Sequence, residues 1–365
     1  MKANIAYKFR LYPNKEQREL IAKTFGCVRF VYNKMLGEKI AYYNEHGKSL
    51  LVTPAKYKEE FEWLKEVDSL ALANAQMNLE TAYKNFFRDK SVGFPKFKSK
   101  KNDRKSYATN CINGNIRLKD GFIRLPKLGN VKVKQHREVP SHYKLKSVTV
   151  SRSASGKYYV SVLFEYEINA QPKPVETIVG LDFSMSELYI SSKGHKPEYP
   201  RFYRRSLTKL ARMQRALSKM QKYSNNYYKQ RRKISKLHEH IANQRKDFLH
   251  KQSRQITNGY DCVAIEDLNM KAMSKALNFG KSVHDNGWGM FVGFLSYKLA
   301  EQGKQLIKVD KWFPSSKTCS VCGTVKDELA LSERIFICEC GSILDRDTNA
   351  AINIENEALR ILAIA

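Results

Sequence analysis

Four cysteines toward the end of the chain constrain its folding more than any other feature. In Val309–Ile354, VDKWFPSSKTCSVCGTVKDELALSERIFICECGSILDRDTNAAINI, Cys319 and Cys322 form a CxxC knuckle. After fifteen intervening residues, Cys338 and Cys340 form a tighter CxC. Zn²⁺ prefers four tetrahedral ligands, and paired knuckles supply four thiolates at the right reach. Gly323 and Gly341 follow the knuckles, where a tight turn needs a residue without a side chain. The spacing predicts a zinc ribbon held by Cys319, Cys322, Cys338 and Cys340. A site closed by four cysteines is structural and leaves no open position for chemistry. Disulfides fit less well: the other cysteines, Cys27, Cys111 and Cys262, are scattered, and the total of seven is odd. A reduced intracellular protein is expected.

Directly behind the knuckles stand Asp345 and Asp347, which open an apolar helical stretch. An Asp before a helix can cap it and favour the positive end of its dipole. The same pair can also bind metal, but only with partners from elsewhere in the chain.

Charge narrows the class of partner. Sixty-five Lys plus Arg against 36 Asp plus Glu give a net charge of +29 over 365 residues. That balance is extreme for an enzyme of small molecules. It points to a polyanion, with counterion release driving much of the affinity. A membrane surface is the competing polyanion, but no run of 18 apolar residues appears, and no lipidation signal either. MKANIAYKFRLYPN lacks the apolar core of a signal peptide. The expectation is a cytoplasmic protein of bacterial type, associated with the nucleoid when bound to DNA, with no membrane partner.

Patterning organises the rest. Ile5, Tyr7, Phe9 and Leu11 alternate with Lys8 and Arg10, which predicts a strand with a basic face. Helical spacing begins at Lys15, with Gly26, Gly37 and Gly47 blurring its limits. A second helical block runs from about Pro54 to Phe87, where Leu72, Gln76, Leu79, Tyr83 and Phe86 share one stripe. Such a stripe is ordinarily core, although Asn74, Gln76 and Asn78 could read base edges. The basic aromatic stretch Gly93–Tyr107, which includes Lys96 and Lys98, reads as a linker able to contact a nucleic-acid backbone or as a solvated loop. Short strands are expected from 112 to 167, with the first strand joining them. The helical block is then an insertion into a β-barrel-like module. Residues 201–257 hold 17 Lys plus Arg and two acidic residues. Leu210, Met213, Leu217 and Met220, then Ile234, Leu237, Ile241 and Phe248, follow heptad spacing. A basic helical hairpin is predicted, with one seam packed and Lys209, Arg212, Arg215, Lys219, Arg231 and Arg232 available to phosphates.

Three carboxylates then stand at comparable places. Asp182 ends the short apolar strand IVGLD, Glu266 ends YDCVAIE, and Asp347 opens the last helix. Three such groups suit two Mg²⁺ ions about 3.5–4 Å apart, which activate water and stabilise a leaving oxygen at phosphorus. No helix-turn-helix or tandem-finger pattern is evident that would choose a target sequence.

VGLDFSM, VAIEDLNM, PSSKTCSVCG, ICECG and DRDTNAAINI resemble the TnpB proteins of bacterial insertion sequences, compact relatives of type V CRISPR effectors. KFRLYPNKEQ, GFPKFKSKK and HEHIANQRKDFLHK look similar too, so the resemblance covers almost the whole chain. It implies an α/β, RNase H-like (RuvC) nuclease domain over 176–365 carrying catalytic Asp182, Glu266 and Asp347. The basic hairpin at 201–257 and the zinc ribbon at 315–342 lie within it. It implies an N-terminal wedge β-barrel in two parts, 1–13 and 96–170, with a helical recognition insertion at 14–95. The implied activity is cleavage of double-stranded DNA beside a short adjacent motif, guided by a noncoding RNA held by one protein. The implied cofactors are structural Zn²⁺ and catalytic Mg²⁺. Two departures are visible. Phe183-Ser184 replaces a small residue and Gly, and the second knuckle is one residue short; neither removes a ligand. The rival readings are an RNA-guided repressor without cleavage, a transposase acting directly on transposon ends, and a junction-resolving nuclease.

Overall fold

The alternation at the N-terminus forms strand β1 (Lys2–Tyr12), and Asn14 starts helix α1 (Lys15–His46) behind it. The computed structural model describes residues 2–101, 105–168, 170–276, 280, 285–330 and 332–364. It divides into two units, residues 1–168 and 169–365.

In the first unit Asn14 and Gln17 close a capping box at the start of α1. The Gln17 amide also donates to the carbonyls of Leu128 and Asn130, tying the helix to a distant turn. Gly26 and Gly37 do not break α1; it ends at Gly47, whose φ of 62° is the left-handed cap that glycine adopts without strain. The block from Pro54 splits into helix α2 (Pro54–Glu60), a 3₁₀ turn (Glu62–Glu66) and helix α3 (Ser69–Arg88). Asp68 makes the second break. One of its oxygens caps α3 at the Leu70 amide, and the other accepts from the buried Thr109 hydroxyl.

Six more strands follow: β2 (Lys105–Asn110), β3 (Arg117–Lys119), β4 (Phe122–Leu125), β5 (Gly129–Lys134), β6 (Lys144–Arg152) and β7 (Tyr158–Glu167). With β1 they form an antiparallel sheet in the order β2-β6-β7-β1-β5-β4-β3. The first strand does join this group, at its centre, with Tyr7 opposite Val162 and Leu11 opposite Val133. One expectation needs correcting: the linker ends before Tyr107, because Tyr107 and Thr109 alternate into the core and strand β2 pairs with β6. The core of this unit is continuous from the sheet (Phe9, Val131, Val160) to the helices (Ile21, Met35, Leu72, Leu79).

The second unit is built on four strands: β8 (Ile178–Ser184), β9 (Leu188–Ser191), β10 (Cys262–Glu266) and β11 (Gln305–Val309), in the order β11-β10-β8-β9. The pairs β8–β10 and β10–β11 are parallel, and β8–β9 is antiparallel. Between strands lie α4 (Phe202–Ser218), α5 (Asn225–Gly259), α6 (Met270–Ala276) and α7 (Trp288–Ala300). The small hairpin β12 (Ile335–Ile337) and β13 (Ile343–Asp345) precedes the last helix, α8 (Arg346–Ile364). Both faces of the sheet are covered, so its central strands read as unbroken apolar runs. Val179, Leu181, Val263 and Ile265 pack on Leu249 and Ile256 of α5 and on Phe291 and Leu295 of α7. Ala264 and Val309 pack on Ile354 and Ala358 of α8. Among the described residues no helix is long and apolar enough to cross a membrane.

Gly180 sets how closely α8 approaches. A Cβ there would lie 2.1 Å from the Ala351 carbonyl oxygen and 2.7 Å from the Glu355 nitrogen. Both obstacles are backbone, so relief requires the helix to move. Gly180→Ala is therefore expected to destabilise the second unit by about 1–3 kcal/mol. Gly26→Ala, in open space within α1, should stabilise the first by roughly 0.5–1 kcal/mol. Denaturant midpoints of the two variants check the pair, and a Gly180→Ala protein as stable as the parent would overturn the packing argument.

Candidate carboxylate site and four-thiol centre

Strand alternation places Gly180 and Asp182 on one face of β8, the face that α8 covers. Leu181 pairs with Ile265, so Asp182 and Glu266 stand one step beyond that pair, side by side at the C-terminal edge of the sheet. Ala351 of α8 sits over Gly180. From Ala351 back to Asp347 the helix rises about 6 Å, and from Gly180 to Asp182 the strand advances about 6.6 Å. The two walks end alongside each other, so the close contact at Gly180 brings Asp347 near enough to Asp182 for its charge to act there.

Electrostatics agrees. The Asp182 carboxyl is held well above the usual carboxylate range, first by burial, then by the charges of Glu266 and Asp347. Burial also raises Glu266, while a hydrogen bond from the Ser315 hydroxyl opposes the rise. Carboxylates whose charges reach one another in this way could hold a hard cation, although among the described residues only the four thiols converge within 4.8 Å. Asp345 behaves differently. It accepts from the Thr348 amide and hydroxyl at 2.9 Å each and pairs with Lys196 at 2.9 Å. Burial raises its carboxyl, but these contacts outweigh burial and lower it. The capping role thus falls on Asp345, whereas the Asp347 carboxylate lies 4.0 Å from Arg334 and raises Asp182 through its charge.

The four thiols converge more tightly. The Sγ atoms of Cys319, Cys322, Cys338 and Cys340 all lie within 4.8 Å of one another, and they are the one such ligand group among the described residues. Gly323 (φ 78°) and Gly341 (φ 88°) make the knuckle turns. Burial disfavours a Cys319 thiolate, yet hydrogen bonds from Ser342 and the Cys322 and Val321 backbones bring the thiol down to about 6. The Cys340 backbone favours a Cys338 thiolate, but burial and the adjacent sulfurs push that thiol up to about 12. Sulfurs this close cannot all ionise unless a cation sits among them, and a tetrahedral divalent ion fits the donor set.

Several supporting residues were not singled out by the sequence. Ser315 reaches Glu266 across 49 positions. Asn349 donates to the Thr318 carbonyl and accepts from the Ser320 amide. Asn353 donates to the carbonyls of Ser315 and Thr318. One face of α8 is thereby fastened to the start of the thiol ribbon; the i, i+4 spacing of the two asparagines was the available signal. Buried Asn286 donates to the Ser184 carbonyl, just past Asp182. Buried Asp285 accepts from the Tyr203 and Arg204 amides and from Arg245, joining the start of α4 to α5.

The basic residues fall into three groups. Lys8 and Arg10 lie over the Tyr159 ring at 4.5 and 5.2 Å. The Asn74 amide turns back to the Leu70 carbonyl of its own helix, and Gln76 is half-buried on α3. Lys96 is exposed, and the Lys98 ammonium stands 3.9 Å over Tyr32 while Asn33 bonds its backbone on both sides. Phe94 packs edge-on against Tyr83 and Phe86, so this aromatic ring is a structural anchor. In α4 and α5 a seam of Leu210, Ile234 and Ile241 is buried, while Lys209, Arg212, Arg215, Lys219 and Arg232 are exposed and Arg231 is half-buried.

Residues 161–277 match a family model described as "Probable transposase" (OrfB_IS605), and residues 288–354 match one described as "Cas12f1-like, TNB domain". Residues 1–48 match a model described as "Helix-turn-helix domain", although here they form one strand and one unbroken helix. A Streptomyces pristinaespiralis protein described as "Putative RNA-guided DNA endonuclease" is 38% identical over 96% of this chain and 88% of its own. A protein of Escherichia coli strain K12, "Putative RNA-guided DNA endonuclease InsQ", is 34% identical over 100% of this chain and 94% of its own. The fold is shared with the protein in a cryo-EM structure of a Cas12f1-sgRNA-target DNA complex: TM-score 0.64, 13% identity, 98% of this chain and 99% of that one. With full-length relatives at this identity, the chain belongs to the TnpB family.

Proposed function

We propose that the protein is an RNA-guided, divalent-metal-dependent DNA endonuclease encoded by an insertion sequence, cutting duplex DNA beside a short adjacent motif. The convergence of Asp182, Glu266 and Asp347 at one edge of the four-stranded sheet carries this reading. Two parallel neighbours and an antiparallel β9 fit an RNase H-like (RuvC) nuclease domain spanning 176–365. Residues 1–13 and 96–170 then correspond to the wedge β-barrel, 14–95 to the recognition insertion, 201–257 to the basic hairpin and 315–342 to the zinc ribbon. The relatives' printed names and the Cas12f1 complex support RNA and DNA partners. One protein per guide RNA is part of the proposal.

Asp182, Glu266 and Asp347 would hold Mg²⁺, in two ions. When bound, these supply an activated water and stabilise the leaving oxygen of the scissile phosphate. The chain contributes orientation. Ser315 fixes one oxygen of Glu266, Asn286 holds the backbone just past Asp182, and Asp345 secures the first turn of α8 so that Asp347 keeps its place. The exposed cations of α4 and α5 would grip phosphates, leaving sequence choice to base pairing. The description "Probable transposase" favours one rival, direct action on transposon ends.

Four outcomes test the reading. Asp182→Ala, Glu266→Ala and Asp347→Ala should each lower Mg²⁺-dependent cleavage on the order of 10³-fold or more, a barrier rise above about 4 kcal/mol, while target binding changes little. Asp345→Ala should cost about 0.5–2 kcal/mol of stability as a lost helix cap and remain active; an inactive Asp345→Ala beside an active Asp347→Ala would reverse the assignment. The purified protein should carry about one zinc, and Cys322→Ser should lose it and lower the melting temperature; active, unchelated protein without zinc would refute the ribbon. Finally, the protein should copurify with a noncoding RNA of discrete length, and exchanging only its guide end should move the cut on a second plasmid. RNA-free protein that still cuts a defined site would establish the direct transposase instead.

A further inference from the structure

Glu266 anchors both ends of a short loop. Val309 pairs with it across the β10–β11 ladder, and six residues later the Ser315 hydroxyl bonds its carboxylate. Trp312 lies between them and is 80% exposed, whereas Trp288 is buried. The loop is internally fixed. The Trp312 amide donates to Asp310 Oδ1 at 2.8 Å, the Phe313 amide to the Asp310 carbonyl at 3.0 Å, and the Ser315 amide to the Phe313 carbonyl at 2.8 Å. Its neighbour Phe313 packs inward beside Val309 and Ile354. One aromatic ring therefore secures the loop and the other is held out in solvent, where it forgoes roughly 1.5–3 kcal/mol of burial.

The surroundings identify what would cover it. The Lys311 ammonium stands 4.9 Å from the Trp312 ring centroid. Beside the loop opens a cavity of about 640 Å³ whose lining includes Asp267, Asn269, Met270, Lys308, Asp310 and Lys311. Asp267 is paired with Lys308 at 2.8 Å and Asp310 accepts from the Trp312 backbone, so Lys311 keeps the rim cationic. A flat, fixed aromatic ring flanked by a cation and a mixed donor–acceptor cavity suits a nucleobase attached to a phosphate chain. A base paired within a duplex has no free face to offer.

We infer that Trp312, with Lys311, is a stacking platform for one unpaired base of the DNA strand entering the carboxylate site, and that it sets which phosphate reaches Glu266. This rests on the carboxylates being the cleavage site. Trp312 acts as a positioning residue and touches no reacting atom.

The test uses the RNA-bound complex carrying Asp182→Ala, so that binding is read without cleavage. Target duplexes carry 2-aminopurine singly at successive positions through the matched region and its flanks. One or two adjacent positions should show emission quenched by stacking, recovered in Trp312→Ala and still quenched in Trp312→Phe, as loss of one base–aromatic stack predicts. In the cleaving complex Trp312→Ala should raise KM or scatter the cut over neighbouring phosphates, and Trp312→Phe should restore a single cut. The inference fails if no 2-aminopurine position distinguishes Trp312→Ala from the parent complex. Unchanged zinc content in Trp312→Ala shows that the loop and ribbon remain folded. Should the carboxylate variants keep cutting, the cleavage-site reading falls separately, because the fluorescence comparison needs no cleavage.

Discussion

The second unit depends on a backbone-to-backbone contact. At Gly180 the last helix comes down onto the central strand at a distance that no side chain permits. Every residue of the carboxylate site is placed relative to that contact. Asp182 is two residues along the strand and Asp347 one helical turn back, while Glu266 is delivered by the parallel neighbour whose Ala264 shares the small-residue face. A larger residue at 180 would lift the helix and separate Asp347 from the other two acids. The glycine in VGLD is therefore part of the site's geometry although it bears no functional group.

Around this contact the structure resolves two kinds of crowding. The thiols sit so close that only some can ionise alone, which is the arrangement a tetrahedral cation relieves. The carboxylates repel one another at the end of a buried sheet, and Ser315 supplies a neutral hydrogen bond without cancelling charge. The ribbon and the carboxylate site are mechanically joined. Asn349 and Asn353 hold the ribbon's start, and Asp347 opens the same helix. A structural cation among the thiols would stiffen the loop that carries Ser315 and the helix that carries Asp347, and so influence the chemistry without taking part in it.

Period and spacing made much of this legible. Strand β1, the β6–β7 hairpin, the helical pair α4–α5 and the thiol knuckles follow directly from alternation, heptads and cysteine spacing. Local pattern could not separate Asp345 from Asp347, because both stand where a helix begins. The distinction came from Lys196, 149 residues away, and from the approach of Asp182. Ser315, Asn286 and Asp285 were illegible for the same reason, since each acts through a hydrogen bond to a partner remote in sequence. The linker ended early because Tyr107 and Thr109 are too short an alternation to outweigh the lysines before them. Residues 1–48 carry the opposite lesson. A helix-turn-helix description fits that stretch by family, yet the capping box at Asn14 and the absence of any break before Gly47 produce a single helix.

A protein with 29 surplus positive charges nonetheless gathers three acids at one sheet edge and spends few cations on them. Lys196 is taken by Asp345, and Arg334 reaches Asp347 only at 4.0 Å from an exposed position. Meanwhile α4 and α5 leave lysines and arginines in solvent along helices whose seam is already packed. Such a separation costs repulsion within each group in the isolated chain. It becomes favourable when phosphates lie along the helices and divalent cations enter between the acids, because each group then meets its counter-charge. The polyanion and the metal are thus complementary demands of one charge distribution, and a ligand satisfying only one of them would leave the other repulsion standing.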